Sequence, residues 1–172
     1  MTSELDTLKR LRASPELMEE VRESTTSELA TQQRLRDRYD ADLVRAALSL
    51  HEARTKARDL LPNADQLWLT AIGLEQATHP LVAAHKAQRF PQDERVYDLC
   101  GGIGCDAVAL SRRGPVTVVD TDEAMLLRCG WNFSVWNQPP PLLQVADATD
   151  AELDGLLIHA DPDRRSGRPR PV

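Results

Sequence analysis

Four carboxylates stand out by where they fall. Asp98, Asp120, Asp147 and Asp161 each close, or lie just past, a short apolar run that reads as a β-strand. In an open parallel sheet, ligands bind at the carboxyl ends of the strands. Like charges gathered at one edge repel each other. A ligand with several hydroxyl, amine or ammonium groups would explain why they are kept together. The first of these acids precedes a glycine turn, Gly101-Gly-Ile-Gly104, which leads into an apolar segment from Ala107 to Leu110. A strand, a tight loop and a helix start in a row let a ligand approach bare backbone and meet unpaired N–H groups.

The spacing narrows the ligand to a nucleotide-like cofactor. Asp120 lies eighteen residues beyond Gly102, near the roughly twenty-residue offset at which an acid takes a ribose diol. The glycines alone leave the choice open, because Gly102-Ile-Gly-Cys-Asp-Ala107 also satisfies the G-x-G-x-x-A form used for NAD. Asp98 tilts it. A carboxylate before the glycines repels a pyrophosphate and suits a ligand with a positive amine or sulfonium and no phosphate. S-adenosylmethionine fits that description.

The elements that must hold these residues follow from periodicity. Strands are expected over Arg95 to Leu99, Pro115 to Val119, Leu142 to Val145 and Leu156 to His159. Helices are expected over Asp106 to Arg113, and from a cap at Asp122 through about Trp136, where Pro139-Pro-Pro141 is a hard stop. This alternation implies a parallel sheet with right-handed crossovers. Upstream, Ser14-Pro15-Glu16 and Ser24 to Glu28 read as helix starts. A third helix is expected from Ala41 to Leu61, ended by Pro62-Asn63. Leu67 to Thr70 reads as a small strand broken by Gly73, and Thr78-His79-Pro80 as a further helix start closed by Pro91. His79, His85 and His159 have no partner that spacing can name.

Composition sets the class. The chain has 172 residues, 41% apolar but 4% aromatic, so its core must be mostly aliphatic. A net charge of −6 excludes a whole-protein basic footprint for nucleic acid. There is no run of eighteen apolar residues and no signal peptide in the charged N-terminus, so no membrane role is expected. Cys100, Cys105 and Cys129 form neither a disulfide framework nor a C-x-x-C pair, which points to the cytoplasm and away from a metal site.

Asp98-Leu-Cys-Gly-Gly-Ile-Gly104 resembles the first motif of class I S-adenosylmethionine-dependent methyltransferases, with Cys100 in place of their first glycine. It is closer to the D-x-C-C-G-I-G-G-D subgroup. That subgroup includes bacterial methyltransferases with a THUMP-like extension and is related to trimethylguanosine synthase. Thr78 to His85 is similar to the group's T-P-x-x-x-A helix start, and Asp161-Pro-Asp-Arg-Arg165 to its D-P-x-R-R catalytic loop. The resemblance implies that Asp98 and the backbone of Gly102 and Gly104 hold the methionyl end, with Thr78 nearby, and that Cys100 and Asp106 also belong to the cofactor site. Asp120 would bind the ribose, Asp147 the adenine amine with Ala148 beside it, and Asp161 and Pro162 would line the methyl-transfer pocket. RNA or another nucleophile-bearing molecule is the implied substrate.

The expected architecture is α/β. A helical region over residues 1–70 precedes a Rossmann-like domain over residues 71–172 that holds strands one to four of the methyltransferase order 3-2-1-4-5-7-6. An edge at strand four calls for further chain or for a second copy forming a homo-oligomer. The tail from Arg164 to Val172, rich in arginine and proline, is expected to be poorly ordered. A nicotinamide-dependent oxidoreductase and a non-catalytic cofactor-binding module are the competing readings.

Overall fold

The computed structural model describes residues 3–150 and 156–161. It forms two compact units, Met1–Glu75 and Gln76–Val172.

The first unit is helical. Helix α1 spans Glu4–Arg12, and Ser3 caps it by accepting the Asp6 N–H at 3.1 Å. Helix α2 spans Pro15–Arg22 with its proline in the first turn, where no N–H is missed. Helix α3 spans Glu28–Arg36, capped by Ser27. All three pack on α4, Ala41–Ala57, whose buried stripe runs Leu43, Val44, Ala47, Leu50, Ala53 and Ala57. Each turn of that stripe adds apolar area at roughly 25 cal/mol per Å².

Four expectations need correction here. Helix α1 was not anticipated, although Leu8 and Leu11 supply a buried i, i+3 pair. Helix α4 stops at Ala57 rather than Leu61, because the Leu60 and Leu61 N–H groups both turn back onto the Ala57 carbonyl. Leu67 to Thr70 forms no strand. Its carbonyl at Leu67 accepts the Arg54 Nε–H at 2.7 Å, so a side chain meets the backbone there. Gly73 breaks nothing: it lies inside the short helix α5, Ala71–Glu75, and its N–H donates to Thr70 Oγ1 at 2.9 Å.

The second unit is the α/β layer. Helix α6 (Pro80–Ala87) is followed by β1 (Val96–Leu99), α7 (Cys105–Ser111), β2 (Val116–Asp120), α8 (Glu123–Val135), β3 (Leu142–Val145), a 3₁₀ turn (Ala148–Asp150) and β4 (Leu157–Ala160). All pairings are parallel and the order is β3-β2-β1-β4. β1 and β2 are almost wholly buried, as central parallel strands must be. Val96, Val116 and Val118 meet Ala107, Leu110, Leu126 and Phe133 of the flanking helices in one apolar cluster. Asp122 starts α8 by accepting the Ala124 and Met125 N–H groups at 2.8 and 3.0 Å. Among the described residues no helix is long and apolar enough to cross a membrane.

Candidate functional site

The glycine loop is a set of backbone conformations that side chains resist. Cys100, Gly102 and Gly104 have φ of +64, +51 and +95°. A Cβ on Gly104 would come 2.8 Å from Cys129 Sγ, and one on Gly101 would come 2.2 Å from a Val118 methyl. A Cβ on Gly102 would meet nothing within 4 Å. So Gly101 and Gly104 press the loop against β2 and α8, while Gly102 borders open space. Asn132 of α8, fully buried, fixes the loop by donating to the Ile103 carbonyl at 3.0 Å.

Beneath the loop lies Asp98. It sits inside β1 rather than at its close, and it is 2% exposed. Its Oδ2 has no hydrogen-bond partner among the described residues. Burial pushes its pKa up to about 7; Asp106 and Asp161 add to the rise, while His159 and Lys86 oppose it. A buried carboxyl oxygen left without a donor is costly.

A second cluster joins α6, α7 and β4. Thr78 Oγ1 donates to Asp106 Oδ2 at 2.6 Å. Lys86 Nζ reaches Thr78 Oγ1 at 3.1 Å, Asp106 Oδ2 at 3.2 Å and Asp161 Oδ2 at 2.6 Å. His159 Nε2 lies 3.7 Å from Asp106 Oδ2, an ion-pair contact longer than a hydrogen bond. Burial alone would raise Asp106, but His159, Thr78 and Lys86 outweigh it and hold the carboxyl below its usual range. Lys86 is desolvated, yet Asp161 and Asp106 keep it above its ordinary value. The Asp106 carboxylate beside His159 raises the imidazole above its usual value against the effect of burial.

The remaining acids ring the loop from the other side. Asp120 ends β2, half-buried, and accepts the Asp122 N–H on Oδ1 at 3.0 Å. Asp147 is exposed, and its Oδ1 accepts from Thr149 N–H and Oγ1 at 2.8 and 2.7 Å, which lowers its pKa. Ala148 opens the 3₁₀ turn behind it. The Cys100 thiol is raised by burial first and then by Asp120, Asp98 and Asp147 together, so all three act on the loop.

Thr78, Asp98, Asp106 and Asp161 are thus gathered on one side of the loop and Asp120 and Asp147 on the other; Pro162 lies outside the described residues. Sequence reasoning missed Lys86 and Asn132 and left His159 unassigned. Only His159 carried a signal, as the residue two before Asp161 on a strand that ends at the same edge.

No protein-family model matches the sequence, and no curated protein does. Among solved structures, a protein of Porphyromonas gingivalis W83 provisionally assigned as a methyltransferase is similar in fold, with a TM-score of 0.63 at 16% identity. The match covers 87% of this chain but 37% of that one, so the chain spans well under half the length of that protein. The N-terminal domain of EvdMO1 with S-adenosylhomocysteine bound is more distant, at TM-score 0.42 and 20% identity over 60% of this chain and 48% of that one. Coclaurine N-methyltransferase bound to N-methylheliamine and S-adenosylhomocysteine is more distant again, at 0.38 and 15% over 85% and 52%. The first likeness shows that the chain shares a Rossmann-like methyltransferase fold as far as its fourth strand.

Proposed function

We propose that the loop between β1 and α7 holds S-adenosylmethionine and that the chain carries the cofactor-binding part of a methyltransferase. The observation that carries this reading is Asp98: a buried carboxyl whose Oδ2 has no hydrogen-bond partner among the described residues, beneath a loop in which Gly102 borders open space. A ligand ammonium supplies the missing donor and favours the charged carboxylate. The phosphates of NAD offer no donor there. The assignment of the Porphyromonas gingivalis protein supports the same reading.

When bound, S-adenosylmethionine supplies a methyl group already activated on a sulfonium, so the protein's task is alignment. Gly102 lets the methionyl end approach the backbone. Asp120 keeps Oδ2 for the ribose hydroxyls while Oδ1 holds its own turn. Ala148 and Asp147 border the adenine end, where Asp147 retains Oδ2 as an acceptor. Lys86 ties Asp161 to Asp106, which orients the Asp161 carboxylate where a substrate amine would donate. The resemblance of Asp161 to Arg165 to D-P-x-R-R supports membership of the THUMP-like subgroup and RNA as substrate. The free cysteines suit a reducing cytoplasm.

Calorimetry with S-adenosylhomocysteine and NAD, run in parallel on the whole chain, tests this. Binding of the first and not the second is expected. NAD binding without S-adenosylhomocysteine binding would overturn it.

A further inference from the structure

The helical unit contains a hollow of about 250 Å³ that the proposed cofactor site does not use. It is bounded by the C-terminal end of α1, one side of α2, the C-terminal half of α4 and the turn from Asp65 to Trp68. Four arginines line it, Arg12, Arg22, Arg54 and Arg58, against two carboxylates, Glu19 and Asp65. In a chain of net charge −6 that balance is local and opposite to the whole.

The bland account is that each arginine answers the carbonyls at the end of its own helix. It does not cover Arg54. That side chain leaves its helix: Nε donates to the Leu67 carbonyl at 2.7 Å, Nη2 to the Gln66 carbonyl at 3.2 Å, and the guanidinium lies 5.6 Å above the Trp68 ring. The fork is therefore fixed, with Nη1 lacking a protein acceptor among the described residues. No described carboxylate lies within ion-pair distance of Arg54. Asp65, the nearest charge to act on it, pairs with Arg58 at 3.2 Å, and Arg22 pairs with Glu19. Burial lowers the Arg54 pKa to about 10, as it must for a desolvated cation short of a counter-ion. A guanidinium fixed on an aromatic ring, with its Nη1 side left over and further arginines beside it, can take phosphate oxygens end-on. The volume lies just under the roughly 300–1,000 Å³ of drug-sized pockets, so it suits one nucleotide-sized unit.

We propose that this hollow binds a phosphate ester of nucleotide size, with Arg54 as the pre-set donor and Arg12 and Arg22 closing on the same phosphate. The free nucleotide and one unit of a nucleic-acid strand offer this same chemistry. The inference does not depend on the cofactor reading, because its residues all belong to the first unit.

The test uses uridine monophosphate, uridine and a ten-nucleotide oligouridylate, followed by calorimetry on the whole chain. Uridine ligands keep adenine recognition out of the result. Uridine monophosphate should bind at least tenfold more tightly than uridine and weaken as sodium chloride rises from 50 to 500 mM. The exposed double variant Arg12→Gln/Arg22→Gln should bind at least tenfold more weakly with its circular dichroism unchanged, and Arg54→Gln should behave alike where it folds. A stronger grip on the oligomer assigns a strand as the natural ligand; equal grip assigns the free nucleotide. Uridine binding as well as its monophosphate, unchanged binding in the double variant, or equal binding of a glutamate decapeptide and the oligomer would each overturn the proposal.

Discussion

Asp98 of β1 and His159 of β4 are direct register partners in a parallel pair, so both side chains fall on one face of the sheet. Each shifts the other toward its charged form, and Asp106 stands close to both. A buried acid and a half-buried imidazole side by side make the centre of the sheet sensitive to pH near neutrality.

The direction of that sensitivity follows from the native state holding more protons than the unfolded one. Asp98 titrates near 7 when folded and near 3.8 when unfolded, so folding loses stability as pH rises between those values. His159, raised from 6.5, contributes stability below that value that is lost as pH passes its folded pKa. Asp98→Asn removes the first effect. Urea unfolding should find the variant up to about 4 kcal/mol more stable than the native chain at pH 8 and little different at pH 4. An unchanged pH profile would contradict the burial argument.

Lys86 opposes protonation of His159 through its positive charge. Replacing it by glutamine should raise the His159 midpoint, read from imidazole proton shifts in NMR. It should also release Asp161 from α6. A midpoint that stays put or falls would mean that Lys86 does not sit in this cluster in solution.

The loop glycines should separate folding from binding. Gly104→Ala combines a strained φ with a collision against buried Cys129, and a loss of about 2–4 kcal/mol is expected. Gly102→Ala carries strain alone, about 1 kcal/mol, yet places a methyl in the open space. It should weaken S-adenosylhomocysteine at least tenfold. The reverse ranking in stability would show that the loop is wrongly placed.

Asp120→Ala should lose at least tenfold in cofactor affinity while costing about 1 kcal/mol of stability, the worth of the Asp122 N–H bond. Unchanged affinity would remove Asp120 from the ribose role.

Much of this arrangement was legible beforehand because it is local. The strand, glycine turn and helix from Val96 to Ser111 follow one another in sequence, and so do Asp120 and the Asp122 cap. What stayed hidden is long-range. Lys86 and Asp161 are seventy-five residues apart, and no periodicity on α6 marks Lys86 as anything but a solvated lysine. Asn132 reads as an ordinary helix residue until α8 lies against the loop. Leu67 to Thr70 misled because a short apolar run suits a strand, a buried turn or a buried extended segment equally. Leu67 and Leu69 are buried without any strand to pair with.

If a ligand's positively charged amine is what Asp98 Oδ2 lacks, the amino-acid end of the ligand decides binding. Comparing S-adenosylhomocysteine with 5′-methylthioadenosine, which lacks the amino-acid end, in the native chain and in Asp98→Asn tests it directly. The native chain should prefer S-adenosylhomocysteine at least tenfold, and the variant should lose that preference while still binding methylthioadenosine. Equal affinity for the two ligands in the native chain, or a preference that survives in the variant, would contradict the account.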